Sequence, residues 1–328
     1  MLVDSVGIIG SGAWGTSLAI QMNRSGLKTL IYSIEEDIYK EISEQNTNSK
    51  FLPGVILPKD IKITQNLRDI LNSNCILIAV PSFSLLKVIK NLDDIKVSTQ
   101  VPIVIATKGL DSDGELFAEK IKTYIRNDIL FLSGANIAIE IANHKPASFV
   151  LASDNYHLAQ NISQLFNNDV IKVYPSNFVK QIQISGSIKN IAAILSGITS
   201  VLYNCQNLQA WLATLAFNEV LNISKKMGCN NLIDENSNIG ILSDLILCCY
   251  STKSRNYCFG RQLVESKKER REIFIKSYTV LVEGKNNAFA VKKLLDRLNF
   301  YAAMTDTLCL ILNDPANLEK YITKVFNN

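Results

Sequence analysis

The stretch Val6-Gly7-Ile8-Ile9-Gly10-Ser11-Gly12-Ala13-Trp14-Gly15-Thr16 decides the fold. An apolar run is followed at once by glycines spaced G-x-G-x-x-G, and then by apolar residues at helical spacing. In a strand-to-helix turn each glycine has its own task. Gly10 allows the tight turn, Gly12 lets the backbone approach a pyrophosphate, and Gly15 lets the helix pack on the strand. The phosphates then face unpaired N–H groups and the positive end of the helix dipole. The motif alone is weak, but its place between an expected strand and an expected helix supports a nicotinamide or flavin cradle. A purely structural glycine turn is the competing reading. Trp14 reads either as a core aromatic at a helix start or as a wall beside the cofactor.

Outward from this stretch, strands and helices alternate. A strand is expected over 2–9, a helix over 13–25 with Gly26 as its stop, and a second strand over 27–33. Acidic helical sequence covers 35–45, and the Pro- and Gly-bearing stretch 46–58 reads as loop. Helix 66–73, strand 75–80, helix 83–91 and strand 102–106 follow, with further strands near 129–133 and 147–152. This alternation predicts an α/β domain, a Rossmann-type doubly wound parallel sheet. Helical periodicity then takes over at 188–202, 208–228, 238–250, 261–276, 288–298 and 307–325. We therefore expect a dinucleotide-binding domain over 1–186 and an all-α, substrate-binding domain over 187–328.

Length and composition narrow the function. A chain of 328 residues with 47% apolar content can build two cores. The net charge of +4 is spread thinly; the densest basic run, Lys267-Lys268-Glu269-Arg270-Arg271, is broken by an acid and suits a solvated helix face. This excludes nucleic acid as the expected partner and suits a small anionic substrate. Seven cysteines with no Cys-x-x-Cys pair point to reduced thiols in the cytoplasm, and two histidines are too few for a metal centre. No secretory signal is visible, and no apolar run is expected to span a membrane.

Several polar residues stand where ligands belong. Lys108 ends a strand at its carboxyl side, the ligand side of an α/β sheet. Lys189 sits among Ile184, Ile188, Ile191, Ala192 and Ile194. A lysine so placed is either desolvated and useful for proton transfer, or snorkels from a helix start. Asp244 lies in the apolar stretch 239–249 and needs a partner, for which a cationic lysine is the obvious candidate. A helix N-cap is its other reading. Ser254-Arg255-Asn256 follows a short polar loop and offers a bidentate fork with two neutral donors, which suits a phosphate. After the second strand come Ser33-Ile34-Glu35-Glu36-Asp37, with no cation before Lys40. These acids would repel a 2′-phosphate, so NAD(H) is expected to be weakly preferred over NADP(H).

Taken in order, these pieces resemble the bacterial-type NAD(P)-dependent glycerol-3-phosphate dehydrogenases. The likeness is carried by Gly10 to Thr16, Phe51-Leu52-Pro53-Gly54, Val80-Pro81-Ser82, Ala106-Thr107-Lys108-Gly109, Lys189-Asn190, Asp244-Leu245, Ser254-Arg255-Asn256 with Phe259-Gly260, and Val282-Glu283-Gly284. The resemblance implies reversible hydride transfer between NAD(P)H and dihydroxyacetone phosphate, giving sn-glycerol 3-phosphate for phospholipid synthesis. It implies Lys189 as the catalytic proton carrier. It implies Lys108, Gly134, Asn136, Lys189, Asp244, Ser254, Arg255 and Asn256 on the substrate. Besides the three cradle glycines, it places Ser11, Trp14, Lys108, Ala138, Arg255, Leu281 and Glu283 on the cofactor. No metal is implied, and a homodimer is compatible with it. The chain departs from the family pattern at Ile34, at Ala135-Asn136-Ile137, at Ser243 and at Cys248, where a threonine is usual. Competing readings are a lysine-dependent reductase of the ketopantoate or β-hydroxyacid type, and a non-enzymatic nucleotide-sensing regulator.

Overall fold

The computed structural model describes residues 3–230 and 234–326, so Leu2 of the expected first strand lies outside it. The first part alternates as expected: β1 (Ser5–Ile9), α1 (Ala13–Arg24), β2 (Lys28–Tyr32), α2 (Glu36–Gln45), β3 (Lys62–Thr64), β4 (Cys75–Ile78), α3 (Ser82–Asp94) and β5 (Ile103–Ile105). It continues with α4 (Phe117–Ile121), β6 (Ile129–Gly134), α5 (Ala138–Ala142), β7 (Ala147–Ala152), α6 (Tyr156–Phe166) and β8 (Ile171–Ser176). The stretch expected as helix 66–73 is a 3-10 helix over Leu67–Asn72.

The eight strands form one sheet in the order β3-β2-β1-β4-β5-β6-β7-β8. All neighbours are parallel except β6 and β7, which run antiparallel. Ile76, Leu77 and Ile78 of β4 are fully buried, as a strand covered on both faces requires. The strand order turns back at β1. A doubly wound sheet opens its ligand crevice at such a switch point, at the carboxyl ends of the strands. Gly10 follows β1 at that point.

The rest is helical: α7 (Val179–Leu202), α8 (Gln206–Lys226), α9 (Glu235–Tyr250), α10 (Arg255–Glu265), α11 (Arg271–Ser277), α12 (Glu283–Arg297), α13 (Ala303–Asn313) and α14 (Leu318–Ile322). α7 begins at Val179, so the boundary expected between 186 and 187 falls inside a continuous helix. The single helix expected over 261–276 is two. α10 ends at Glu265, where the extended backbone of the C-cap Ser266 breaks the spiral, and α11 starts anew after a 3-10 turn over Lys268–Arg270. The helix expected over 307–325 stops at Asn313 because Pro315 follows and cannot continue it. Contrary to expectation, α7 is long and apolar enough to cross a membrane, but 89% of its apolar window is buried inside the protein, as in a core helix.

The chain divides into two compact units, and neither is one continuous segment. The first comprises Met1–Lys108, Ala118–Val179 and Asp234–Gly240; the second comprises Gly109–Phe117, Lys180–Ile233 and Ile241–Asn328. In the first unit, Asn236 Nδ2 donates to the Pro175 carbonyl at 2.8 Å and the Ser237 and Ser176 hydroxyls meet at 2.7 Å, so the start of α9 covers β8. In the second, Arg297 donates to the Asp113 and Gly114 carbonyls, each at 2.6 Å, and Lys293 to the Ser112 carbonyl at 2.8 Å. That unit also packs α7 directly on α10. A Cβ on Gly197 would strike the Tyr257 carbonyl, and one on Gly260 would strike the Ile194 carbonyl.

Candidate active site

In the first unit the cradle has the geometry its spacing implies. Gly10 has φ of +116°, and a Cβ there would come within 2.5 Å of the Ala79 carbonyl oxygen just past β4. Gly15 could not carry a Cβ without striking the Gly10 carbonyl. Around Gly12, apart from its two chain neighbours, no described atom lies within 4 Å of where a Cβ would be. Gly12 also starts α1 without a side-chain cap, leaving its first N–H groups to a ligand. Open space beside uncapped donors fits a pyrophosphate. Trp14 packs against the core, its ring edge-on to Phe149 at 5.8 Å between centroids, with a buried Nε1 that has no hydrogen-bond partner.

Residues outside the motif hold the cradle in place. The Ser11 hydroxyl lies 2.7 Å from that of Ser33 at the end of β2. Asn48, fully buried, donates from Nδ2 to the Ser11 carbonyl at 2.9 Å and to Thr16 Oγ1 at 2.8 Å. No local pattern announces Asn48, since its partners are distant in the chain. Beyond β2, Ile34 is 81% exposed. The acids that follow are not bare. Lys40 pairs with Glu36 at 3.0 Å, and Lys50, which charge counting along β2 misses, pairs with Glu35 and lies 3.3 Å from Asp37.

Also in the first unit, Lys108 Nζ donates to the Gly134 carbonyl at 3.0 Å and to Asn136 Oδ1 at 3.1 Å. Three residues expected on the substrate are thus gathered. Gly134 has φ of +135° and no room for a Cβ, which would come within 2.6 Å of the Ser148 carbonyl. Asn136 keeps a buried Nδ2 without a partner, a donor available to an oxygen-bearing ligand. Ala138 opens α5, and its carbonyl accepts from Ser17 of α1 at 2.8 Å.

The second unit holds the other cluster. Lys189 of α7 and Asp244 of α9 are 8% and 3% exposed, and Nζ reaches Oδ1 at 2.9 Å. The snorkelling reading of Lys189 is therefore overturned. Asp244 lies well inside α9, so it is no N-cap. Cys248 Sγ, one turn along α9, lies 3.5 Å from both Lys189 Nζ and Asp244 Oδ1. Ser254-Arg255-Asn256, after the expected short polar stretch, is the start of α10. Ser254 caps it, accepting from the Tyr257 N–H, and Arg255 stands exposed as its first residue. Asn256 is buried; its Nδ2 donates to Asn190 Oδ1 at 2.8 Å and its Oδ1 accepts from the Gly284 N–H at 3.0 Å. That bond joins α10 to the first turn of α12, which Glu283 opens; Leu281 precedes the helix by one cap residue. A carboxylate there also complements the helix dipole. All seven cysteines are free, and among the described residues no three His, Cys, Asp or Glu gather into a metal-binding group.

Known proteins match the chain at both ends. Residues 5–159 match the NAD-dependent glycerol-3-phosphate dehydrogenase N-terminus, and residues 179–323 match the C-terminus of the same family. A Rickettsia bellii protein named glycerol-3-phosphate dehydrogenase [NAD(P)+] is 35% identical over 93% of this chain and 97% of its own. One of the same name from Orientia tsutsugamushi is 34% identical over 79% of this chain and 78% of its own. The crystal structure of glycerol-3-phosphate dehydrogenase from Coxiella burnetii superposes with a TM-score of 0.88 at 27% identity, covering 99% of each chain. A ketopantoate reductase from Ralstonia eutropha reaches a TM-score of 0.62 at 13% identity, covering 96% of this chain and 99% of its own, which is likeness of fold alone. The chain belongs to the NAD-dependent glycerol-3-phosphate dehydrogenase family.

Proposed function

We propose that the chain catalyses reversible hydride transfer between NAD(P)H and dihydroxyacetone phosphate, yielding sn-glycerol 3-phosphate for phospholipid synthesis in the cytoplasm. The observation that carries this reading is the buried Lys189–Asp244 pair at 2.9 Å. A buried cation needs a purpose or a partner, and here the partner is present. A nucleotide sensor has no need for such a pair.

The nicotinamide, when bound, supplies or takes up the hydride at substrate C2. Lys189 gives its Nζ proton to the carbonyl oxygen during reduction and takes the hydroxyl proton during oxidation. Asp244 holds the ammonium in place and keeps its charge compensated. A developing alkoxide is stabilised by that nearby cation. Lys108, Gly134, Asn136, Ser254, Arg255 and Asn256 line the substrate in this reading. Asn256 keeps one Nδ2 hydrogen beyond its bond to Asn190, and Arg255 clamps the phosphate with its planar fork. Gly10, Ser11, Gly12, Trp14 and Gly15 hold the cofactor from the first unit, together with Lys108 and Ala138. Arg255, Leu281 and Glu283 complete the set of residues read as touching it. NADH is weakly preferred, because Ile34 offers no charge to a 2′-phosphate.

The test is NADH oxidation followed with dihydroxyacetone phosphate and, separately, with unphosphorylated dihydroxyacetone. Rapid turnover with the phosphate ester alone is expected. Equal use of both, or of neither, overturns the proposal.

A further inference from the structure

In a Rossmann unit the residues after the second strand face the 2′ position of the adenosine ribose. An acid there binds the hydroxyls, and a nearby base accommodates a phosphate. This chain carries both, but the base arrives by an unusual route. Lys50 lies on the loop after α2, and that loop is footed in the cradle itself. Asn48 is fully buried and bonded to the Ser11 carbonyl and Thr16 Oγ1. Its own carbonyl accepts from the N–H groups of Phe51 at 3.2 Å and Leu52 at 2.7 Å, turning the chain tightly around Lys50. Lys50 is thereby carried to the acids beyond β2, pairing with Glu35 and lying 3.3 Å from Asp37. Glu35 is tied back to the same network. Its N–H donates to Ser33 Oγ at 3.1 Å, and that hydroxyl lies 2.7 Å from the hydroxyl of Ser11.

We infer that Lys50 is the residue that reads the 2′ position of the cofactor. With NADH, Lys50 stays on Glu35 and orients that carboxylate for the ribose hydroxyls. With NADPH, Lys50 leaves Glu35 and takes the 2′-phosphate, standing in for the basic residue that Ile34 does not provide. The Lys50 side chain is 49% exposed. An exposed ion pair holds weakly, so the exchange is easy, and a phosphate offers stronger charge-assisted bonds than one carboxylate. Its two acids raise the Lys50 ammonium above its ordinary range, so it stays charged at neutral pH. The inference rests on the cofactor reading above and accounts for a preference that is weak instead of absolute.

Direct binding of NADH and of NADPH, followed by nicotinamide fluorescence without substrate, tests it. Lys50→Met is expected to raise the Kd for NADPH at least ~10-fold and to change that for NADH less than ~3-fold, as loss of one phosphate contact requires. Glu35→Gln is expected to do the opposite for NADPH, tightening it, while loosening NADH. Lys50→Arg should keep NADPH binding. The inference is overturned if Lys50→Met leaves NADPH binding unchanged, or weakens both cofactors equally, which would mark a structural role for the loop. A parent protein that binds neither cofactor refutes the cradle itself, a result distinct from the failure of Lys50.

Discussion

Lys189 is the residue on which the chemistry turns. It is held by Asp244 in surroundings that exclude water, where neither charge is tolerable alone. Lys189→Met should lower kcat at least ~10²-fold, the lower range for losing a general acid. It should also destabilise the fold by ~3–5 kcal/mol, the usual cost of breaking a buried pair by removing one partner. NADH binding, measured by fluorescence, should stay within experimental error, because Lys189 is not among the residues proposed to hold the cofactor. Near-normal turnover in the folded variant would remove Lys189 from the mechanism. Arg255 differs: it is exposed and opens a helix. Arg255→Ala should cost ~2–5 kcal/mol in kcat/KM for the phosphorylated substrate, the range for truncating one partner of a charge pair, which here the bound substrate would bury. Lysine should rescue it poorly, since it lacks the fork. Retained kcat/KM in Arg255→Ala would assign the phosphate to another group.

Among the elements, α13 shows how a helix can borrow its cap. Its own N-cap is Ala302, which has nothing to offer. Glu219 of α8 supplies the missing acceptor, taking the Met304 N–H at 2.7 Å and the Thr305 hydroxyl at 3.4 Å. Burial pushes the Glu219 carboxyl up to about 7 from its ordinary 4.5. Between those two values the folded chain binds a proton that the unfolded chain has released, so stability falls as pH rises through that window. Denaturant unfolding should show a loss of about 3 kcal/mol from this group across the window, the worth of a shift of that size. Glu219→Gln should abolish that slope, and an unchanged slope would assign the pH dependence elsewhere. The elements also show what a sequence discloses. β1, α1, β2, β4 and β5 are legible because their apolar residues are concentrated and bounded by glycine or proline. β3, Lys62-Ile63-Thr64, is as short as β5 but holds a single apolar residue, and β8 contains Pro175, which demotes a strand on paper and is tolerated because β8 lies at the sheet edge. α6 does have a signal: Asn155 caps the Leu158 N–H ahead of Leu158, Ile162 and Leu165. In the site, Lys189 and Asp244 stand out as charges in apolar stretches. Asn48 and Lys50 do not, because their meaning comes from where a loop travels.

At the scale of the whole molecule, ligand binding and folding are one equilibrium. NADH at ~100 times its Kd should stabilise the native chain by ~2.7 kcal/mol and raise Tm accordingly. A melting curve indifferent to NADH would contradict the cradle. The interleaving of the two units carries a different consequence, one that concerns synthesis. Chains fold as they leave the ribosome, N-terminal parts first. Here the first unit is unfinished when its eight strands have emerged, because Asn236 and Ser237, which cover β8, are made only after α7 and α8. Long-range closure of this kind is slow, since loop entropy is lost before the contacts repay it. The nascent protein therefore exposes a sheet edge for the time needed to translate two helices, and that interval is when it most needs a chaperone.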